Sequence, residues 1–216
     1  MAKATTEARR PLASRSYGWA QYVAARLTGI GTQVTPNQIS LLSIAWAVLG
    51  GAVLWWSPGQ PAFIAAAVCV QLRVLCNLLD GMVAIEGRKS TAIGALFNEI
   101  PDRLADPLFL VPLGFAAGYP WLGWLAALLA VLTGPCLGRL ARPAAGLWRA
   151  LPKQRRMAVL TVALLIQAID DALWGSRVSL LVAVIIIAAG SLVTCISRSI
   201  AIARRLEAPR VAGEAS

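Results

Sequence analysis

Histidine is absent from this chain of 216 residues, and charged residues make up only 14% of it. The absence of histidine removes the side chain that usually changes charge near neutral pH and a common metal ligand. Any acid–base or metal chemistry must therefore use carboxylates. A soluble domain carries about 25% charged residues. The low charge, the 58% apolar content and a mean hydropathy of +0.68 indicate an integral membrane protein.

Cysteine is also scarce, with four in the chain. All four fall within apolar segments and none forms a CxxC pair, so they are interpreted as small buried side chains rather than as a disulfide or metal site. They are Cys69, Cys76, Cys136 and Cys195.

The net charge of +10 does not indicate a nucleic-acid-binding protein. The Lys and Arg residues lie in alternate connections between apolar segments, which is the pattern of membrane topology and of contact with anionic headgroups. We therefore expect membrane lipids, and no nucleic acid, as partners.

Apolar segments of about 20 residues, long enough to cross a bilayer as one helix, recur along the chain. We predict an all-α integral membrane protein with six transmembrane helices and a short N-terminal interfacial helix near 17–31. A basic tail would cover 1–16, the membrane domain 17–202 and a polar tail 203–216. The predicted spans are 37–56, 61–86, 91–117, 121–140, 157–174 and 178–202.

The distribution of basic residues predicts the orientation. Seventeen of the 20 Lys and Arg residues lie on one side of the predicted spans, so the positive-inside rule places both termini in the cytoplasm. We expect the inner, cytoplasmic membrane of a bacterium. Tryptophans gather at the opposite ends of the spans, as in an aromatic belt. They are Trp55, Trp56, Trp121, Trp124 and Trp174.

Apart from Glu86 at the end of the second span, six charged side chains lie within the second and third predicted spans. A charge near the centre of a membrane helix costs about 2.5 to 3.5 kcal/mol on insertion scales, so such a cluster indicates a functional site. The orientation opens this site to the cytoplasm. The six are Arg73, Asp80, Glu99, Asp102, Arg103 and Asp106.

Helical spacing puts the polar residues of each span on one face. Asn77 and Asp80 share a face of the second span, and we expect the two spans to form an antiparallel pair. Residues at equal depth then face each other as 80 with 98, 77 with 102 and 73 with 106. We predict an ion pair between Arg73 and Asp106. For the polar set as a whole, the alternative to a ligand-binding site is a polar network that only locks helix packing.

Carboxylate and amide oxygens converge in this register. An all-oxygen set suits Mg²⁺, Mn²⁺ or Ca²⁺ rather than zinc. Gly81 and Gly94 flank the set and, having no side chain, let a bulky polar ligand approach the helices closely.

The spacing resembles that of the CDP-alcohol phosphotransferases, a family of six-helix membrane proteins. Their pattern is D-x2-D-G-x2-A-R-x8-G-x3-D-x3-D, and from Asn77 to Asp102 this chain reads N-x2-D-G-x2-A-I-x8-G-x3-N-x3-D without a gap. The VTPNQIS opening of the first span is also similar. The resemblance covers about 33–202, and its specific part is about 30 residues long.

Three positions depart from the family pattern. Asn77 and Asn98 stand in place of aspartates, and Ile85 stands in place of arginine. The resemblance implies metal ligands at Asn77, Asp80, Asn98 and Asp102, with two carboxylates instead of four. One or two ions of Mg²⁺ or Mn²⁺ are then the expected cofactor. The changes mark either an adapted subfamily or lost activity.

The resemblance implies an enzyme of membrane phospholipid biosynthesis. It would transfer a substituted phosphate, such as phosphatidyl, from a CDP-linked donor such as CDP-diacylglycerol to an alcohol, and release CMP. The family also implies a homodimer. The alternative is a non-catalytic lipid- or nucleotide-binding relative. The basic segment 139–156 would bind either an anionic acceptor, such as a phosphorylated polyol, or lipid headgroups.

The resemblance also implies roles for single residues. Asp102 is the candidate metal ligand or base. Asp106 lies one turn beyond the family pattern and is an additional candidate catalytic acid, and Glu99, also outside the pattern, is a candidate replacement ligand. The candidate nucleotide-binding residues are Gly81, Ala84, Arg88 and Gly94.

Overall fold

The computed structural model describes Tyr22 and residues 36–86, 92–133 and 153–207, and within these ranges it contains six α-helices and no strand. The helices are α1 (Pro36–Trp56), α2 (Gln60–Glu86), α3 (Ala92–Ala116), α4 (Pro120–Leu132), α5 (Lys153–Leu173) and α6 (Val178–Glu207).

The predicted all-α class is confirmed, and most helix ends lie within a few residues of the predicted ones. α1 begins at Pro36, whose missing N–H does no harm in a first turn. α4 is described to Leu132, and the predicted continuation to 140 lies outside the described residues. α6 continues past 202 to Glu207. Of the predicted interfacial helix, only Tyr22 is described, and it is helical.

Three described helices are long and apolar enough to cross a bilayer by themselves. These stretches are Asn37–Trp56 in α1, Gln60–Asp80 in α2 and Val178–Arg204 in α6. α4 is apolar but only 13 residues long as described. Many large apolar side chains on the helix surfaces are exposed, among them all five tryptophans of the predicted belt. Such a surface belongs in a lipid environment, and the chain is an integral membrane protein.

The six helices form a closed ring. α1 packs against α2 and α3, α3 against α4, α4 against α6, α6 against α5, and α5 against α2. Within the described ranges, α2 and α3 are not among the closely packed pairs, although the sequence predicted a direct antiparallel pair. They are instead linked through the long side chain of Arg73, which reaches α3. The separation leaves room for polar groups inside the ring.

Glycines allow α3 to pack closely against its neighbours. A Cβ atom added to Gly51 of α1 would lie 2.1 Å from the carbonyl oxygen of Leu108. That carbonyl lacks its usual helical donor because Pro112 has no N–H. A Cβ on Gly114 would likewise lie 2.5 Å from Cα of Gly123 in α4. Substitution of these glycines would push the helices apart.

Arg177 holds together the end of the bundle that we predict to be extracytoplasmic. Its Nη1 donates to the carbonyl oxygen of Ala116 at 2.8 Å, and its Nη2 donates to that of Pro58 at 3.0 Å. Gly118 and Gly175, at the turns after α3 and α5, have φ values of +82° and +64° that favour glycine. Arg177, which lies on the side opposite to most of the Lys and Arg residues, therefore has a structural role.

Candidate active site

Two serines of α1 hold the polar face of α2. Ser40 Oγ donates to Asp80 Oδ2 at 2.8 Å, and Ser43 Oγ donates to Asn77 Oδ1 at 3.1 Å. Asp80 is only 2% exposed. Because both hydroxyls come from a closely packed neighbouring helix, α1 fixes the orientation of two residues of the family motif.

Sequence reasoning missed these serines. Their spacing contained a signal, since Ser40 and Ser43 are three residues apart, as are Asn77 and Asp80. An antiparallel neighbour with the same spacing brings the two pairs together at equal depth.

Only one end of the Asn77 side-chain amide has a hydrogen-bond partner. Its oxygen accepts the hydrogen bond from Ser43, whereas its Nδ2 is buried without a hydrogen-bond partner in the described structure. A buried amide N–H₂ normally has partners, so each exception requires an explanation.

The remaining motif residues are located at backbone level. Gly81 and Ala84 lie in α2, and Gly94, Asn98 and Asp102 lie in α3. The side chains of these residues, like that of Glu99, are outside the described part of the structure, and Arg88 is outside it altogether. Asn77 and Asp80 are thus the predicted ligands whose surroundings are known.

Arg73 and Asp106, which the register sets opposite each other, form a buried ion pair. Arg73 Nη2 lies 3.1 Å from Asp106 Oδ1, and the two residues are 0% and 3% exposed. Arg73 Nη1 also lies 3.0 Å from Sδ of Met157 in α5. The pair therefore connects α2 and α3 across the ring interior and also contacts α5.

A second arginine binds the same carboxylate. Arg156 Nη2 lies 2.5 Å from Asp106 Oδ2, and its Nη1 donates to Thr133 Oγ1 at 2.8 Å. Arg198 of α6 donates to the backbone carbonyl of Thr133. Together, Arg73, Arg156, Arg198, Asp106 and Thr133 form what we call the arginine cluster.

Among the described side chains, the arginine cluster brings three guanidinium groups to one carboxylate. Arg156 is 5% exposed, and its Nε is buried without a hydrogen-bond partner among the described residues. Buried charges are normally paired. The cluster is therefore electrostatically suited to an anion.

Sequence reasoning did not find Arg156, Arg198 or Thr133. The sequence treats Arg156 only as one member of the basic segment 139–156, which would bind an anionic acceptor or lipid headgroups, and does not pair it with Asp106. Neither α5 nor α6 is joined to α3 by a short turn. The sequence spacing therefore does not show that Arg156 or Arg198 lies at the same depth in the membrane as Asp106.

The described donor atoms suit a divalent metal ion in chemistry, although they are too few to complete a site. Asp80 supplies a buried carboxylate, Asn77 supplies an amide oxygen, and hard cations take oxygen ligands of this kind. Among the described side chains, no three His, Cys, Asp or Glu residues gather around one point. A complete site would need oxygens from α3, where Asn98 and Asp102 lie.

A groove of about 290 Å³ lies between α2 and α5. Its walls are mainly apolar, and they include Leu72 and Leu75 of α2 and Leu165 of α5. Gln71 Nε2 donates to Thr161 Oγ1 at 2.7 Å in the same groove, so these two polar groups satisfy each other. The apolar groove lies on the part of α2 that directly precedes Asn77.

Comparison with known proteins gives partial matches in sequence and an extensive match in fold. No protein-family model matches the chain. It is 33% identical over 82 residues to inner membrane protein YnbA of Escherichia coli (strain K12), a match over 38% of this chain and 41% of the relative. It is 35% identical over 89 residues to the bifunctional IPC transferase and DIPP synthase of Rubrobacter xylanophilus, over 41% of this chain and 20% of the relative. The chain thus spans less than half the length of these curated relatives.

Two crystal structures of phosphatidylinositol phosphate synthase from Mycobacterium tuberculosis share the fold. The structure with CDP-DAG bound has a TM-score of 0.67 at 19% identity, over 85% of this chain and 92% of that one. The structure in complex with manganese and citrate has a TM-score of 0.68 at 19% identity, over 85% of this chain and 88% of that one. The comparisons therefore confirm the resemblance to the CDP-alcohol phosphotransferases, whose fold this chain has.

Proposed function

We propose that this protein is a CDP-alcohol phosphotransferase of membrane phospholipid biosynthesis. It transfers a phosphatidyl group from CDP-diacylglycerol to an alcohol and releases CMP. The observation that supports this most directly is the buried Asp80, oriented by Ser40 in the family motif, inside a fold shared with phosphatidylinositol phosphate synthase.

The nucleotide end of the donor would bind on α2 and α3. Asp80, Asn98 and Asp102 are the proposed metal ligands, and a bound Mg²⁺ or Mn²⁺ ion would neutralise charge on the diphosphate. Gly81 and Gly94 would leave room for the nucleotide. Ala84 and Arg88 are further proposed contacts. The manganese in the complex of the related synthase is consistent with such an ion.

The arginine cluster supports an acceptor that has a phosphate group, such as a phosphorylated polyol. Contact with lipid headgroups accounts for exposed basic residues, but it does not account for Arg156, which is 5% exposed and points at Asp106. A phosphate oxygen would accept a charge-assisted hydrogen bond from the buried Nε of Arg156. Arg198 and the Nε of Arg156 are the proposed donors.

In the proposed reaction, the acceptor hydroxyl oxygen attacks the phosphorus of the phosphatidyl group. The bond from this phosphorus to the oxygen of CMP breaks, and the hydroxyl proton passes to the carboxylate of Asp102. Asp106 is a weaker candidate for the base because guanidinium groups hold both of its oxygens. We assign it instead to positioning the arginine cluster.

The proposal includes the predicted topology: six spans, both termini and the site on the cytoplasmic side of a bacterial inner membrane, and a homodimer. Seventeen of 20 basic residues on one side support this orientation. The predicted tails over 1–16 and 203–216 belong to the same proposal.

Purified protein tests the proposed function when it is incubated with CDP-diacylglycerol, Mg²⁺ or Mn²⁺ and a panel of acceptors. The panel pairs inositol with inositol phosphate and glycerol with glycerol 3-phosphate, and CMP release is measured. We expect release with a phosphorylated acceptor and little with its unphosphorylated partner. Equal release with both would contradict the acceptor assignment. Donor binding without release under any condition would favour the non-catalytic relative.

A further inference from the structure

Asn77 differs from a metal ligand in the way its amide is held. Ser43 Oγ donates to Oδ1, so one of the two lone pairs of the oxygen, the atom that would bind a cation, already accepts a hydrogen bond. The other end of the amide, Nδ2, is buried without a hydrogen-bond partner in the described structure. An amide N–H₂ is a donor only, and it repels a cation.

A bound ligand would relieve this state if it brought an acceptor oxygen to Nδ2. A buried donor without an acceptor destabilises the protein, and hydrogen bonds to charged acceptors are among the stronger ones. Asn77 lies on the same face of α2 as Asp80, where the diphosphate of the proposed donor would bind. A diphosphate oxygen is such an acceptor.

We infer that Asn77 binds a phosphate oxygen of the nucleotide diphosphate through Nδ2 and is not a metal ligand. This inference rests on the proposed function and assigns Asn77 a different role from the one that the family resemblance implies. An aspartate at this position would offer only acceptor oxygens and would repel the diphosphate. The asparagine is then an adaptation that replaces part of the metal's role with a direct hydrogen bond.

The inference predicts that CDP binds without metal and that this binding depends on Asn77. CDP affinity of the full-length protein in detergent is measured by calorimetry, in EDTA and with Mn²⁺, and Mn²⁺ binding is counted separately by electron paramagnetic resonance. In EDTA we expect Asn77→Asp to weaken CDP binding about tenfold or more. We expect Asn77→Ala to weaken CDP binding while it leaves Mn²⁺ binding within about twofold.

Two further variants make the test specific. Ser43→Ala frees the amide to rotate, so it should also weaken CDP binding in EDTA, by less than Asn77→Asp does. Asn37→Asp introduces the same charge at an exposed position in the first turn of α1 and should change neither measurement by more than about twofold.

Each outcome has a definite meaning. Weaker Mn²⁺ binding by Asn77→Ala, with unchanged CDP binding in EDTA, would make Asn77 a metal ligand and overturn the inference. Parent protein that binds CDP only with Mn²⁺ would also overturn it, while the proposed function would stand. Parent protein that neither binds CDP nor releases CMP under any condition would overturn both.

Discussion

Arg156 and Arg73 contact opposite oxygens of one carboxylate, since Arg156 Nη2 lies 2.5 Å from Asp106 Oδ2 and Arg73 Nη2 lies 3.1 Å from Asp106 Oδ1. Asp106 therefore contacts two buried charges from two helices, α2 and α5, and its loss would remove this contact from both arginines. The two arginines are not equivalent, because Arg156 also donates to Thr133 and Arg73 also contacts Met157.

Stability should depend on Asp106 more than on either arginine. We expect Asp106→Ala to lower the free energy of unfolding by about 3 to 5 kcal/mol, because it removes a carboxylate that contacts two buried guanidinium groups. Arg73→Ala should lower the free energy of unfolding by less, because Asp106 still forms its ion pair with Arg156. The measurement is the Tm of the detergent-solubilised variants.

The double variant Arg73→Met/Asp106→Leu distinguishes a cluster from a simple pair. A simple pair would recover much of its stability when both charges are replaced by apolar groups. The cluster should recover little, because Arg156 remains without its carboxylate. A double variant as stable as the parent would contradict the role of Arg156. Asp171→Asn, at the opposite end of α5, is the control.

Close packing of α1 on α3 should make Gly51 intolerant of a side chain. The Cβ of Gly51→Ala would lie 2.1 Å from the backbone oxygen of Leu108, so α1 must shift. We expect a loss of about 1 to 3 kcal/mol, as for overpacking in a core. Gly59→Ala is the control, because the nearest atom to its Cβ would lie 3.9 Å away. Similar Tm values for the two variants would argue against this helix contact.

Orientation of Asp80 by Ser40 should affect metal binding. Loss of a residue that hydrogen-bonds a metal ligand typically weakens metal affinity about 10- to 100-fold. We expect Ser40→Ala to weaken Mn²⁺ binding to this extent in a titration, with a smaller effect on Tm. Ser57→Ala, at an exposed position after α1, serves as the control. Parent-like Mn²⁺ affinity in Ser40→Ala would exclude Asp80 from the metal site or Ser40 from orienting it.

Arg198 offers the cleanest test of the acceptor site, because it lies at the edge of the arginine cluster, where it donates to the backbone carbonyl of Thr133. We expect Arg198→Gln to raise KM for a phosphorylated acceptor about tenfold, the effect of losing one charge-assisted hydrogen bond. KM for CDP-diacylglycerol should change little. Arg155→Gln removes an exposed charge one residue from Arg156 and should leave both KM values unchanged. Equal changes in KM for Arg198→Gln and Arg155→Gln would indicate that both arginines act through the charge of the membrane surface.

The sequence was sufficient to predict those features of the fold and the site that depend on local spacing. Apolar segment length predicted the helices closely, and helical periodicity set Arg73 opposite Asp106. Both signals depend only on residues within one helix or on two helices joined by a short turn.

What the sequence did not predict depends on packing between helices that are distant in the chain. Arg156 reaches Asp106 because α5 packs on α2 within the ring, an arrangement that no turn length determines. The separation of α2 and α3 was missed for the same reason, since the pairing argument took helices that are consecutive in sequence to be in contact. The hydrogen bonds from Ser40 and Ser43 required α1 to be recognised as a neighbour of α2 in the right register.

The measurement that tests the central claim most directly is metal-dependent CMP release from CDP-diacylglycerol by the parent protein, Asp80→Asn and Asp171→Asn. The two variants make the same chemical change at opposite ends of the bundle. We predict release by the parent and by Asp171→Asn only when Mg²⁺ or Mn²⁺ is present, and a loss of at least about 100-fold in Asp80→Asn, equivalent to about 2.7 kcal/mol in the barrier. Release by Asp80→Asn at the parent rate would contradict the account.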